Sequence, residues 1–236
     1  MASYNVRIHR KFGKQTKAFT EQRKYVCECA QKLFETKGVQ KTTLADIARE
    51  ASMTRELIYY YFSSKNEIIE EVIGSYVQDA LDATLLWCET WDPVVETYNR
   101  ASAWEGMQNS GQLDRIVMDI VASIRRFIFT NDGDCRPMYN VINELGMRTT
   151  FLSQVCKGMA NQYMDRPSFQ LFVNNYVRLN TEQVGDLLKF LISGTITLME
   201  AGRGRDDLSI ARLLLYGIAP SNTGAFAGSN ERNYAV

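Results

Sequence analysis

The stretch from Lys37 to Glu71, KGVQKTTLADIAREASMTRELIYYYFSSKNEIIEE, is the most informative part of this 236-residue sequence. Asp46 follows Thr43 by three residues, which is the spacing of a capping box with Asp in place of Glu. Apolar residues then recur at helical intervals. The pattern therefore predicts a short helix over residues 43–51.

A second short helix is predicted directly after the first. Ser52-Met53-Thr54 leaves room only for a tight turn, Thr54 can cap the next helix, and that helix runs from Arg55 to Tyr61. Two short helices joined by such a turn are typical of a helix-turn-helix, whose second helix lies in the major groove of DNA.

Further helices are predicted on both sides of this pair. Before it, one apolar stripe, followed by Gly38 at a position suited to left-handed backbone, predicts a helix from Glu21 to Lys37. After it, Ser64 and Glu67 have the spacing of a full capping box and begin a long fourth helix toward Trp87. The first three helices would together form a DNA-binding domain.

The third helix has a distinctive outer face. Ile58, Tyr61 and Phe62 are spaced to reach the core. Five residues are left facing outward: Arg55, Glu56, Leu57, Tyr59 and Tyr60. Leucine and tyrosine side chains are costly to leave in water, so this face indicates a contact surface. The alternative is that the helix packs against a neighbouring domain.

The glycine, the threonine pair and the D-I-A, Y-x-Y-F and S-K groups within residues 37–71 closely resemble the signature of the tetracycline-repressor (TetR) family. The resemblance covers residues 19–72, and the remainder is similar only in the length and order of its helices. It implies an all-α protein of two domains. An N-terminal three-helix helix-turn-helix domain would read DNA, and a larger helical domain would bind an effector and dimerise.

The resemblance also implies roles for individual residues. Thr43 would contact a phosphate from the start of the second helix, where backbone amides favour an anion. Arg55 would reach base edges, most naturally guanine O6 and N7, and Tyr59 and Tyr60 would touch the DNA backbone or neighbouring bases. Lys65 would hold a further phosphate, the alternative being a solvated residue at a helix start.

Two positions depart from the family pattern. Glu56 stands where glycine is common, and Leu57 stands where threonine, serine or alanine is common. Base specificity is therefore not transferable from the family. Glu56 can accept from a cytosine amino group or pair with Arg55, and Leu57 can meet a thymine methyl group.

The charge distribution also indicates a polyanionic partner. Residues 1–65 contain 13 Lys and Arg against 6 Asp and Glu, whereas the remainder contains 14 against 21. The basic excess is greatest in residues 1–24, where seven Lys and Arg residues, Arg23 among them, face only Glu21. The arm before Thr20 is expected to add phosphate or minor-groove contacts, the alternative being that the basic segment is a solvated leader.

The rest of the chain is also predicted to be helical. Pro93, Pro137 and Pro167 are each placed to begin a helix. Further helices are expected over 113–129, 138–164, 168–178, 182–201 and 208–218, with a loop over 131–134. We expect a basic arm and DNA-binding domain over 1–65, a ligand-binding and dimerisation domain over 66–220, and a flexible tail over 221–236.

Two functions are predicted for this larger domain. Its last two helices are apolar on more than one side, which favours a homodimer through them, the alternative being an internal hairpin core. Large adaptable side chains between residues 85 and 164 suit a pocket for an apolar or aromatic effector, although they suit an ordinary core as well. The pocket residues expected are Trp87, Trp91, Trp104, Met118, Phe127 and Tyr139.

Other classes of function are disfavoured. His9 is the single histidine, no glycine-rich phosphate loop is present, and the five cysteines lack a C-x-x-C pair, so no enzyme activity, cofactor or metal is expected. No apolar run approaches the roughly 20 residues of a membrane span, and residues 1–24 lack a signal-peptide core, which favours a cytoplasmic protein. The function expected is an effector-controlled repressor of operator DNA. The alternatives are a DNA-bound protein-interaction module without a small ligand and, third, an undetected enzyme.

Overall fold

A computed structural model describes residues 17–98, 102–173, 179–202 and 207–218 of the chain. These residues form eleven α-helices, and their only extended pairing is an isolated bridge between Phe129 and Cys135. The predicted all-α class is therefore confirmed. The predicted contacts of the basic arm before residue 17 and the predicted tail over 221–236 lie outside the described residues.

The helices are numbered in chain order. The first four are α1 (Lys17–Lys37), α2 (Leu44–Glu50), α3 (Arg55–Tyr61) and α4 (Lys65–Glu96). The next four are α5 (Ala103–Asn109), α6 (Gln112–Ile128), α7 (Pro137–Glu144) and α8 (Arg148–Tyr163). The last three are α9 (Pro167–Val173), α10 (Thr181–Glu200) and α11 (Asp207–Ile218).

Most helix bounds agree with the sequence patterns, but α1 begins at Lys17 rather than Glu21, and three further features differ. Residues 174–178 of the helix predicted over 168–178 lie outside the described residues. Pro93 lies inside α4 rather than at a helix start, where its missing N–H removes one intrahelical hydrogen bond, and α4 ends three residues later at Glu96. The helix expected over 138–164 is two helices, because Gly146, with a φ of +66°, adopts the left-handed backbone that ends α7. Helix α5 was not predicted.

The chain divides into two compact units. Unit 1 is Met1–Ala80 with Phe129–Phe151, and unit 2 is Leu81–Ile128 with Leu152–Val236. These units describe packing, and the functional domains expected over 1–65, 66–220 and 221–236 stay predictions.

Unit 1 contains the helix-turn-helix and a helix from much later in the chain. Helix α1 packs against α2, α3 and also α7. The core side chains of this unit are less than 2% exposed and include Val26, Phe34, Ile47, Ile58, Phe62 and Ile68. Between α2 and α3 the turn is closed by Ser52 with a φ of +53° and by a 2.8 Å bond from the Met53 amide to the Ala48 carbonyl.

Unit 2 is organised around α6. This helix packs against α5, α10 and α11. Leu113, Ile116, Val117, Val121 and Ile128 form its buried face. None of the described helices is both long and apolar enough to cross a membrane.

Candidate nucleic-acid interface

Helix α2 begins with the capping box that the sequence predicts. The Asp46 amide donates to Thr43 Oγ1 over 3.2 Å, and the Thr43 amide donates to Asp46 Oδ2 over 2.9 Å. Lys37 Nζ donates to the same carboxylate over 2.7 Å. Hydrogen bonds from Lys37, and then from the backbone and hydroxyl of Thr43, hold the pKa of Asp46 well below its ordinary value.

Thr43 already uses its hydroxyl within this cap. The hydroxyl donates to Asp46 Oδ2 over 2.8 Å while its oxygen accepts from the Asp46 amide. Thr43 is nevertheless exposed at the first turn of α2, where amide dipoles point outward. A phosphate contact by Thr43 stays a prediction, and it would require the hydroxyl proton to turn away from Asp46.

Helix α3 leaves its predicted outer face uncovered. Leu57, Tyr59 and Tyr60 are 40%, 48% and 54% exposed, and Arg55 and Glu56 are exposed as well. Ile58 on the opposite face is fully buried. The helix is short, and its start is fixed by Thr54, whose hydroxyl accepts from the Leu57 amide over 3.2 Å.

The aromatic residues of α3 do not all have the same freedom. Tyr60 meets Phe19 edge-on at 5.7 Å between ring centroids and Tyr61 at 5.1 Å. Tyr59 lies under the Arg55 guanidinium at 5.8 Å. Tyr60 is therefore packed against the start of α1, while Tyr59 and Arg55 are both exposed and lie beside each other; their DNA contacts stay predictions.

Lys65 lies at the first position of α4 and is half-buried. Its ammonium group donates to the carbonyl oxygens of Val39 and Thr42, over 3.0 and 3.1 Å. An ammonium has three donors, so these two bonds leave a third for a phosphate. The predicted phosphate role of Lys65 stays a prediction, and its contact with the segment before α2 was not foreseen.

Arg23 contributes to the basic excess of residues 1–24, but its side chain is buried within the predicted first helix rather than solvated. Its side chain is 7% exposed and forms ion pairs with Glu67 at 3.1 Å and with Glu71. The apolar residues around it at helical spacing were the only sequence signal that its side chain points inward. Glu67 in turn accepts from the Ser63 amide rather than from Ser64, so the predicted capping box is only half formed.

The residues expected to form a ligand pocket are not all in one unit. Tyr139 is buried in unit 1 beside Phe151, whereas the other five are in unit 2. Among these five, Trp91 Nε1 donates to Asp119 over 2.9 Å, and Met118 and Phe127 are half-buried.

An aromatic cluster in unit 2 consists of Trp87, Trp104 and Phe172. The Phe172 ring lies 6.4 Å from Trp87 and 5.9 Å from Trp104. Phe172 was missed by sequence reasoning because it follows the region in which large side chains are concentrated. Trp87 is 8% exposed, and its Nε1 has no hydrogen-bond partner in the part of the chain that the structure describes. The described residues include no group of His, Cys, Asp and Glu that could hold a metal ion.

Comparison with known proteins bears on the helix-turn-helix. A family model described as "Bacterial regulatory proteins, tetR family" matches residues 28–72. Over 55 residues the chain is 42% identical to the "HTH-type transcriptional regulator TtgR" of Pseudomonas putida; the aligned segment is 23% of this chain and 26% of that protein. Over 67 residues it is 37% identical to the "HTH-type transcriptional regulator HbdR" of an Aromatoleum species; this aligned segment is 27% of this chain and 29% of that protein.

These matches span about a quarter of the length of each relative. A solved structure of a TetR-family transcriptional regulator from Pectobacterium atrosepticum aligns over 86% of this chain and 97% of its own, at 17% identity and a TM-score of 0.47. That score is too low to support a conclusion, so the similarity that carries weight is the N-terminal match over residues 28–72.

Proposed function

We propose that this chain, whose residues 28–72 match the model of the TetR family, is a cytoplasmic repressor of that family that binds operator DNA as a homodimer and is released by a small apolar or aromatic effector. The observation that carries the proposal is the uncovered outer face of α3, defined by Arg55, Glu56, Leu57, Tyr59 and Tyr60. Exposed apolar and aromatic groups on such a short helix are best explained by a partner surface.

The chemistry of this face suits the major groove. The guanidinium of Arg55 can donate two hydrogen bonds to guanine, and Leu57 can contact a thymine methyl group. Glu56 is excluded from the phosphates by its charge, so its carboxylate is assigned to a cytosine amino group or to Arg55. Thr43 and Lys65 flank the helix at the starts of α2 and α4, where they would hold phosphates and set its register.

A homodimer through α10 and α11 is supported by apolar residues on their surfaces. Phe190 in α10 is 70% exposed, and Leu213 in α11 is 52% exposed. A phenylalanine left in water forgoes roughly 1.5–3 kcal/mol of burial free energy. A two-fold dimer would cover these side chains and present two copies of α3 to a palindromic operator.

The aromatic cluster of Trp87, Trp104 and Phe172 is the proposed effector site. Its rings supply apolar surface, and the buried Trp87 Nε1 supplies a donor that lacks a partner among the described residues. An unsatisfied buried donor costs about 1–3 kcal/mol, which a ligand carrying a hydrogen-bond acceptor would recover. The effector is therefore proposed to be apolar or aromatic with a carbonyl, ether or phenolic oxygen.

The DNA-binding half of the proposal is tested by selecting duplexes from a randomised pool with the purified full-length chain. A palindromic consensus is expected, with log affinity falling linearly in log salt concentration because bound Lys and Arg release counterions. Recovery of no consensus, or binding that is independent of sequence, would contradict it.

The effector half is tested by a thermal-shift screen of aromatic compounds, followed by titration of each hit with and without the selected duplex. A coupled effector should bind more weakly to the DNA complex by a factor of about 5 to 150, and it should weaken DNA by the same factor. Equal affinities would instead favour a DNA-bound protein-interaction module without a small ligand. Trp87→Phe removes the donor while keeping an aromatic ring, and it should weaken acceptor-bearing hits selectively.

A further inference from the structure

Arg23 is a buried cation that joins three helices of unit 1. Although it lies in the basic N-terminal segment of the sequence, its side chain is 7% exposed. We propose that Arg23 is a positioning residue that fixes the C-terminal end of α3 and thereby sets how this helix meets DNA. The inference rests on the proposed DNA-binding function.

The guanidinium contacts each element that meets at the end of α3. One nitrogen, Nη1, donates to the carbonyl oxygen of Tyr61, the last residue of α3. Nη2 donates to Glu67 Oε1 over 3.1 Å and to Glu71, both in the first two turns of α4. Its carbon Cζ lies 4.1 Å from the centroid of the Phe62 ring.

This arrangement satisfies the end of a short helix. The last carbonyl groups of a helix lack intrahelical partners, and they carry the negative end of the helix dipole. The buried guanidinium donates to one of these carbonyl groups, that of Tyr61, and places a positive charge at the negative end of the dipole. Arginine suits this position because its donors are fixed in a plane and that plane stacks on the Phe62 ring. A lysine ammonium also has three donors, but it has no planar group to stack.

The connection from α3 to α4 is tied to the same group. Glu67 accepts from the Ser63 amide and from Ser63 Oγ, each over 2.7 Å, while it pairs with Arg23. Burial alone would raise the pKa of Glu67, but the hydrogen bonds from Ser63 and Arg23 outweigh burial and lower it. Arg23, Glu67 and Ser63 thus form one network around the exit of α3.

The burial of Arg23 separates its proposed role from that of a phosphate contact. A phosphate contact contributes to the salt dependence of binding, whereas a buried, carboxylate-paired guanidinium releases no DNA counterions. Loss of the Arg23 network should therefore weaken discrimination between base sequences and leave the salt slope unchanged. Helix α3 would still be held at its start by the Thr54 cap.

The test compares Arg23→Lys with Arg126→Lys, the same exchange at a 64%-exposed arginine in unit 2. Arg23→Lys keeps the positive charge beside both carboxylates but removes the planar fork. The probes are the duplex selected by the wild-type chain and an unselected duplex of equal length. Arg23→Lys should bind the selected duplex roughly tenfold more weakly, the scale of one charge-assisted hydrogen bond, and bind the unselected duplex like the wild type. Arg126→Lys should change neither affinity.

Hydrogen exchange in the free protein supplies an independent readout. Amides of α3 should exchange faster in Arg23→Lys, while those of α2 should not. Wild-type affinity for the selected duplex together with wild-type exchange in α3 would overturn the proposal. Equal weakening toward both duplexes, with loss of cooperative melting, would also overturn it, since Arg23 would then act only in overall stability.

Two further measurements distinguish a failure of the proposed Arg23 role from a failure of the proposed DNA-binding function. If Arg23→Lys does not fold, Glu71→Gln removes one charge of the network, and it should reduce selectivity in the same direction by a smaller factor. If the wild-type chain selects no duplex, the proposed function fails. The exchange experiment then still decides whether Arg23 holds the end of α3.

Discussion

The ammonium group of Lys65 donates to the carbonyl oxygen of Val39 over 3.0 Å, and so joins the first residue of α4 to the segment between α1 and α2. Lys65 also donates to the carbonyl oxygen of Thr42 over 3.1 Å, and Thr42 directly precedes Thr43, the cap of α2. Lys65 thus orders the start of α2 and leaves one N–H for a phosphate at the same place. The same residue would serve both the fold and DNA binding.

Lys65→Met should therefore have two effects. The salt slope of DNA binding should fall by about 1, as expected when one phosphate contact is lost, and the chain should be less stable because two carbonyl groups lose a donor. Fluorescence anisotropy at several salt concentrations and urea unfolding measure these effects separately. Lys157→Met, at an exposed lysine in unit 2, is the control and should change neither. An unchanged slope would assign Lys65 to the fold alone.

Arg55→Ala should relax base preference without altering the fold. Arg55 is exposed on α3, and its nearest aromatic contact is Tyr59 at 5.8 Å, so truncation removes little packing. The selected duplex should lose roughly 1–3 kcal/mol of binding free energy, and unselected duplexes should bind as before. Repeating the selection with the variant identifies the base pair that becomes degenerate. If the consensus is unchanged, another residue of α3 reads that base pair.

Phe190→Glu should convert the proposed dimer to a monomer and abolish operator binding together. Phe190 is 70% exposed in the single chain, so the charge disrupts an interface rather than the monomer core. The dimer should weaken by at least about 2 kcal/mol from lost burial. Sedimentation equilibrium measures this change. Leu86→Glu, at a 65%-exposed residue of α4, is the matched control and should remain dimeric. A monomeric Leu86→Glu with a dimeric Phe190→Glu would move the interface to α4.

Gly194→Ala and Gly74→Ala should differ in their effect on dimerisation. Both glycines lie inside exposed helical surface, and an added Cβ would meet nothing within 4 Å in the single chain. Each exchange should raise the free energy of unfolding of the chain by about 0.5–1 kcal/mol. Only Gly194 is on α10, so its alanine variant should also raise the dimer dissociation constant if the helices approach closely there. Equal dissociation constants would show that Gly194 is not a point of close approach.

The stability of the N-terminal helices should depend on pH through Asp46. Its pKa is held below the ordinary value of 3.8 by Lys37 and Thr43, so the carboxylate stabilises the fold when ionised. That contribution is present above about pH 5 and is lost as the pH falls through the folded-state pKa. Urea unfolding at steps of ~0.5 pH unit between pH 3 and pH 7 measures how the free energy of unfolding changes with pH. Asp46→Asn keeps an acceptor at the cap and should make the free energy of unfolding less dependent on pH. Asp132→Asn, in the exposed loop after α6, should leave the pH dependence unchanged.

Local features of the sequence were sufficient to predict the helix-turn-helix. Helix α3 has the predicted bounds, and α2 begins after the predicted cap at Thr43, because caps, turns and amphipathic spacing act within four residues of one another. The outward face of α3 followed from the same periodicity. The family resemblance arose from this segment for the same reason.

The sequence by itself therefore determined the all-α class, the helix-turn-helix and the residues that face outward on α3. Only the tertiary structure decided that Arg23 is buried against Glu71, that Lys65 reaches Val39, and that Phe172 joins Trp87. Each of these pairs is separated by at least 26 residues along the chain. An arginine or lysine has the same local pattern whether solvated or buried, because its long stem can cover apolar surface while its charge turns toward water or a carboxylate. Which of the two occurs depends on the helix that packs beside it.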